Sequence, residues 1–141
     1  SGLNVDKKLY VETIVNNNRR LQPVIGKTQL KVGDKVVVRL TVRLDRTMDF
    51  VQLKDQRAAC LEPVEVLSGY RNVGDVGCYV AVKDASTDFF FDTLNKGTYV
   101  LEYSYRVDRA GSYEAGIATI QSAYAPEYAA HSASARYEVS Q

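Results

Sequence analysis

From Val36 to Leu44 the chain alternates without a break: Val36, Val38, Leu40, Val42 and Leu44 fall on one phase, and Val37, Arg39, Thr41 and Arg43 on the other. A period of two puts successive side chains on opposite faces of an extended backbone. The segment therefore reads as a strand with one face packed and the other largely in water. Burying its five apolar side chains contributes on the order of 10 kcal/mol before chain entropy is set against it. A slip of one residue would drive Arg39 and Arg43 inward, so the register is firmly specified. The same rhythm returns from Tyr99 to Val107, where Tyr99, Leu101, Tyr103, Tyr105 and Val107 share a phase opposite Val100, Glu102, Ser104 and Arg106.

Shorter segments of the same kind are predicted at Leu9 to Val15, Asp49 to Leu53, Pro63 to Leu67, Tyr79 to Lys83, Asp88 to Phe91, Gly116 to Tyr124 and Ser134 to Val139. Gly, Asn or Asp stand in the breaks between them, as in the exposed turn read at Asn16 to Arg20. No stretch sustains helical periodicity over three turns, and the only helical options are single turns near Asp92 to Leu94 and Tyr128 to Ser132. The expectation is all-β, an antiparallel β-sandwich of about seven to nine strands. A length of 141 residues suits one domain with its own core. Ser1-Gly2 reads as a cloning scar or an arbitrary cut, leaving residues 3–141 as one domain excised from a much larger protein.

Composition excludes several classes. Lys and Arg number 18 against 17 Asp and Glu, so net charge leaves no footprint for nucleic acid or anionic lipid. No apolar run reaches the length of a membrane span, and no direct membrane insertion is expected. Ten Tyr stand beside no Trp; several occupy the apolar phase of strands and are expected in the core or at its edge.

Few residues offer chemistry. Cys60-Leu61-Glu62-Pro63 comes close to Cys-x-Glu-Gln, whose Cys and Gln condense into an internal thioester. Pro63 has no amide carbon to serve as acyl donor, so Cys60 cannot form that bond here, and it reads as a small buried residue or half of a disulfide. Cys60 and Cys78 could pair in an oxidising compartment, a bridge that would contribute about 3 kcal/mol in the chain-entropy account. His131 is the one histidine; without a Gly-x-Ser-x-Gly elbow it reads as a surface residue, and no catalytic constellation is expected. Asp84, Asp88 and Asp92 recur every four residues, but not with EF-hand spacing, and read as turn and strand-end residues. No metal and no cofactor are expected. In Phe89-Phe90-Phe91 the middle ring must point away from its neighbours, so either both faces of the strand are covered or one ring reaches the surface to contact another domain, with at least two expected in the core.

Several pieces in order carry a family resemblance: Val32-Gly33-Asp34 before the valine strand, Met48-Asp49-Phe50-Val51-Gln52-Leu53-Lys54-Asp55, Cys60-Leu61-Glu62-Pro63-Val64, Gly97-Thr98-Tyr99, Tyr103 to Val107, Gly111, and Tyr124-Ala125-Pro126-Glu127. Together, over roughly Leu30 to Val139, they resemble the C-terminal, tenth-type macroglobulin-like domain of bacterial alpha-2-macroglobulin proteins, in wording closest to Bacteroidetes versions. The resemblance implies a macroglobulin-like, immunoglobulin-like sandwich near the end of a very large extracytoplasmic protein of a Gram-negative bacterium, periplasmic or attached to the outer membrane or cell surface. It implies a non-catalytic domain of a protease trap, whose partners are the other domains of the same polypeptide and, indirectly, proteases. Phe89, Phe90, Phe91, Tyr124, Pro126, Glu127 and Tyr128 are the candidate domain contacts, with Pro126 and Glu127 expected to fix a loop entering the last strand. The alternative is an adhesive or glycan-binding module using exposed Tyr70, Tyr79, Tyr113 or Tyr128 to stack on sugars.

Overall fold

The computed structural model describes residues 2–26 and 29–141; Ser1 of the expected scar lies outside them. Fourteen strand segments follow along the chain: β1 (Leu3–Val15), β2 (Asn18–Pro23), β3 (Gln29–Lys31), β4 (Lys35–Leu44), β5 (Met48–Gln56), β6 (Leu61–Pro63), β7 (Gly69–Val73), β8 (Val76–Val82), β9 (Ser86–Leu94), β10 (Gly97–Val107), β11 (Gly111–Ala115), β12 (Ala118–Ser122), β13 (Ala125–His131) and β14 (Ala135–Ser140). A five-stranded sheet runs β2-β1-β4-β10-β6 and a six-stranded sheet β13-β12-β5-β9-β8-β7, with a three-stranded ladder β11-β14-β3 beside them. Every pairing is antiparallel except β14 with β3.

The two alternating segments are the centre of the five-stranded sheet. Val36, Val38, Leu40, Val42 and Leu44 are buried, while Arg39 is half-buried and Arg43 exposed, so the register matches the sequence rhythm. β10 pairs along nearly all of β4, Leu101 opposite Leu40 and Tyr105 opposite Val36. Across the sandwich, Val51, Leu53, Val80, Phe89 and Ile120 come from the six-stranded sheet, and Leu30, Tyr137 and Val139 from the small ladder, into one core. Phe89 packs on Tyr103 with ring centroids 5.0 Å apart.

The differences from expectation have local causes. Fourteen segments replace seven to nine because β2, β3, β7, β11 and β13 were not read as strands; at three to seven residues they are too short to state a period clearly. Both one-turn helix options are strand instead, in β9 and β13. Alternation predicted a strand from Pro63 to Leu67, but after Val64 N–H donates to Ser104 O the chain leaves the sheet, and Val64, Val66 and Leu67 are exposed. Tyr124 ends the turn after β12 and Ala125 to Glu127 open β13, an edge strand, rather than forming a loop that enters the last one. Asn16 and Asn17 take positive φ (53° and 66°), the two-residue hairpin turn that Asn tolerates, and it lets β2 fold back on β1 where a longer turn was read.

Candidate docking surface

The two outer faces of the sandwich differ in kind. On the five-stranded sheet, Lys8, Arg39 and Glu102 stand in register across three strands, as do Glu12, Lys35 and Arg106. Arg39 Nη2 is 2.8 Å from Glu102 and Lys35 Nζ 3.1 Å from Glu12, and the Arg39 guanidinium lies 4.8 Å from the centre of the Tyr10 ring. The hydrogen bond from Arg19, helped by Lys35, holds the Glu12 carboxyl below its usual range. This face is a solvated, self-satisfied charge lattice.

The six-stranded sheet instead turns aromatic rings outward. Tyr70 of β7, Tyr79 of β8 and Phe90 of β9 are successive cross-strand partners, followed by Gln52 of β5 and Gln121 of β12. Tyr70 is 83% exposed, Tyr79 36% and Phe90 37%. Tyr70 meets Tyr79 edge to face at 4.9 Å and 76°, and Tyr79 meets Phe90 at 6.4 Å and 53°. The row borders an open groove of about 890 Å³ that also takes in Asn72, Asp92 and Thr93. Nearby, Phe50 and Tyr124 form a second edge-to-face pair at 5.0 Å and 81°. Phe50 holds φ at 52°, a left-handed conformation that costs a bulky residue about 1–3 kcal/mol. Its backbone is fixed from β12: Ala123 N–H donates to Phe50 O, and the Ser122 hydroxyl donates to Asp49 O.

The phenylalanines divide as alternation required. Phe89 and Phe91 are buried at 1% and 6%, and Phe90 faces out. The Tyr124–Tyr128 group does not act together. Tyr124 stands against Phe50, whereas Tyr128 packs partly on the core with the Arg46 guanidinium 4.7 Å from its ring centre. Pro126 and Glu127 are exposed on β13, and among the described residues the Glu127 carboxylate meets no donor. Of the tyrosines considered for sugar stacking, Tyr113 and Tyr128 are half-buried against the core. Sequence reading missed Phe50, although it shares the outward phase of Gln52 and Lys54; its left-handed backbone is what no alternation reports.

Between the sheets lies a polar cluster that sequence reading also missed. Lys7 Nζ donates to Asp55 Oδ1 at 2.5 Å and to Gly116 O at 2.8 Å. The Tyr103 hydroxyl donates to Asp55 Oδ2, and the Tyr105 hydroxyl lies 2.8 Å from Thr87 Oγ1. Asp55 is wholly buried and Lys7 8% exposed. Burial raises the Asp55 carboxyl above its usual range against the opposing pull of Lys7, and burial followed by the Asp55 charge raises the Tyr103 hydroxyl well above its own. The cluster ties β1, β5 and β10 together.

The bridge between Cys60 and Cys78 is absent: both are buried free thiols, Cys60 in the turn entering β6 and Cys78 in β8 of the opposite sheet. Asp84, Asp88 and Asp92 do not converge. Asp88 is buried beside Lys83 Nζ at 2.9 Å, while Asp84 and Asp92 are exposed, and among the described residues no group of three or more His, Cys, Asp or Glu is placed to hold a metal. His131 is exposed, its Nδ1 2.9 Å from Ser132 O. The Ser132 hydroxyl is engaged as acceptor of the Ala118 N–H.

A family model described as the bacterial alpha-2-macroglobulin MG10 domain matches residues 2–127, starting well before the Leu30 limit of the motif resemblance. No curated protein gives a significant sequence match. Among solved structures, Salmonella alpha-2-macroglobulin reacted with methylamine is similar over 100% of this chain and 9% of its own, with 21% identity and a TM-score of 0.76. Trypsin-activated alpha-2-macroglobulin from Escherichia coli gives 14% identity and 0.76 over 100% and 10%. Native E. coli alpha-2-macroglobulin spanning the MG7 domain to the C-terminus gives 15% and 0.75 over 100% and 24%. The chain thus spans about a tenth of the full-length structures it resembles.

Proposed function

The chain belongs to the bacterial alpha-2-macroglobulin MG10 domain family, and from that we propose that it is a non-catalytic structural domain of a protease-trapping protein, packing against neighbouring domains of one long polypeptide. The observation that carries the reading is the match of the whole chain to about a tenth of much longer alpha-2-macroglobulin chains. A domain embedded in such a chain meets its neighbours at high effective concentration, so even a modest interface is occupied. The interior supports a structural role: the buried Lys7 and Asp55 charges are spent on each other, and the hydroxyl of Ser132 on a backbone amide. We place the protein outside the cytoplasm, in the envelope or at the surface of a Gram-negative cell, as the family reading suggests.

The test is retention of trypsin by the long polypeptide with and without residues 3–141. Loss of retention on removing the domain, with no hydrolysis of peptide or ester substrates by the domain itself, is the expected result. Unchanged trapping would refute the role, and turnover by the isolated chain would refute its non-catalytic character.

A further inference from the structure

We propose that the outer face of the six-stranded sheet, along Tyr70, Tyr79 and Phe90 and the Phe50–Tyr124 pair, is the seat of a neighbouring protein domain of the same polypeptide and not a sugar-binding platform; this rests on the reading above and gives it a surface. The first ground is contrast. The opposite outer face satisfies its own charges by cross-strand pairing, whereas this one leaves large rings from four strands and the β12–β13 turn uncovered. Aromatic rings running inward from the β7 edge of the sheet and bordered by Asn, Gln and Thr have the make-up of an interface core with a polar rim.

Ring geometry selects the occupant. A flat platform for an extended sugar chain presents coplanar ring faces side by side. Here Tyr70 and Tyr79 are inclined at 76° and Phe50 and Tyr124 at 81°, so neither pair forms a coplanar platform. Interlocked edge-to-face rings form a stiff, uneven ridge that suits apolar side chains of another folded surface. The left-handed backbone at Phe50 points the same way, because strain at an exposed aromatic residue holds that ring out of the sheet at a cost folding does not recover. The length of the related chains supplies the covering domain: about nine tenths of each lies beyond the matched part.

Hydroxyl-radical footprinting of the long polypeptide and of the 141-residue chain, read by peptide mass spectrometry, tests this. Oxidation of Tyr70, Phe90 and Tyr124 is expected to slow by about fivefold or more in the long polypeptide, as for side chains at an interface core, while Tyr10 on the charged face changes little. Protection confined to the Tyr10 face overturns the inference but leaves the family role standing. Protection of neither face overturns both. Retardation of the chain in polysaccharide affinity gels, abolished by Tyr70→Ala, overturns it in favour of a glycan.

Discussion

Lys7 and Asp55 are 48 residues apart and meet inside the sandwich, where their environment makes each depend on the other. Removing one partner of a buried pair strands the remaining charge, which costs about 3–5 kcal/mol. Lys7→Met should therefore lower unfolding stability in urea by about that amount, and Lys7→Met with Asp55→Asn should lose less than the sum of the two single changes. A loss below about 1 kcal/mol for Lys7→Met would show that the pair is solvated after all. The thiols make a second test. Burial pushes Cys78 up to about 11 and raises Cys60 as well, so at pH 8 both should resist iodoacetamide when folded and label fully in denaturant. The folded Cys78 holds its proton more tightly than the unfolded chain, so its share of stability is complete below about pH 8.5 and lost as pH rises through about 11. The ion pair was not legible beforehand, whereas burial of Cys60 was one of the two readings its sequence allowed. Asp55 stood within a recognised motif, but its partners come from β1 and β10, and no local pattern reports a contact across sheets.

At the scale of elements, legibility followed length. β4 and β10, ten and eleven residues long, state their buried phase directly, and the division of Phe89, Phe90 and Phe91 follows from alternation alone. The segment from Val64 to Leu67 carried the same local signal, yet only Leu61–Pro63 finds a partner strand. Pairing is a property of two segments, and a pattern in one cannot supply the other. Two glycines sit where strands and turns close on each other. A Cβ on Gly116 would stand 2.0 Å from Gln56 O, and one on Gly74, at φ 68°, 2.5 Å from Val100 O. Gly116→Ala and Gly74→Ala should each cost about 1–3 kcal/mol, as overpacked sites do, whereas Gly33→Ala meets no atom within 4 Å and bears only the strain of its left-handed φ of 97°, so it should cost less than Gly74→Ala, which carries strain and clash together. Thermal melts of the three variants give the order, and equal losses would contradict the packing read at these turns.

For the molecule as a whole, the family and the all-β class were readable because several motifs occur in order along one chain. The docking face was not. Alternation tells which side chains point out, but only the register across β7, β8 and β9 shows that Tyr70, Tyr79 and Phe90 fall in one row. The expected contacts at Phe90 and Tyr124 are on that face, while Phe89 and Phe91 belong to the core and Tyr128 to the Arg46 edge. A cryo-EM reconstruction of the long polypeptide measures the domain's role most directly. The expected map shows this sandwich seated on a neighbouring domain through the six-stranded sheet, with Tyr70, Phe90 and Tyr124 covered; a map with the domain hanging free on a linker, both outer faces in solvent, would contradict a packing role altogether.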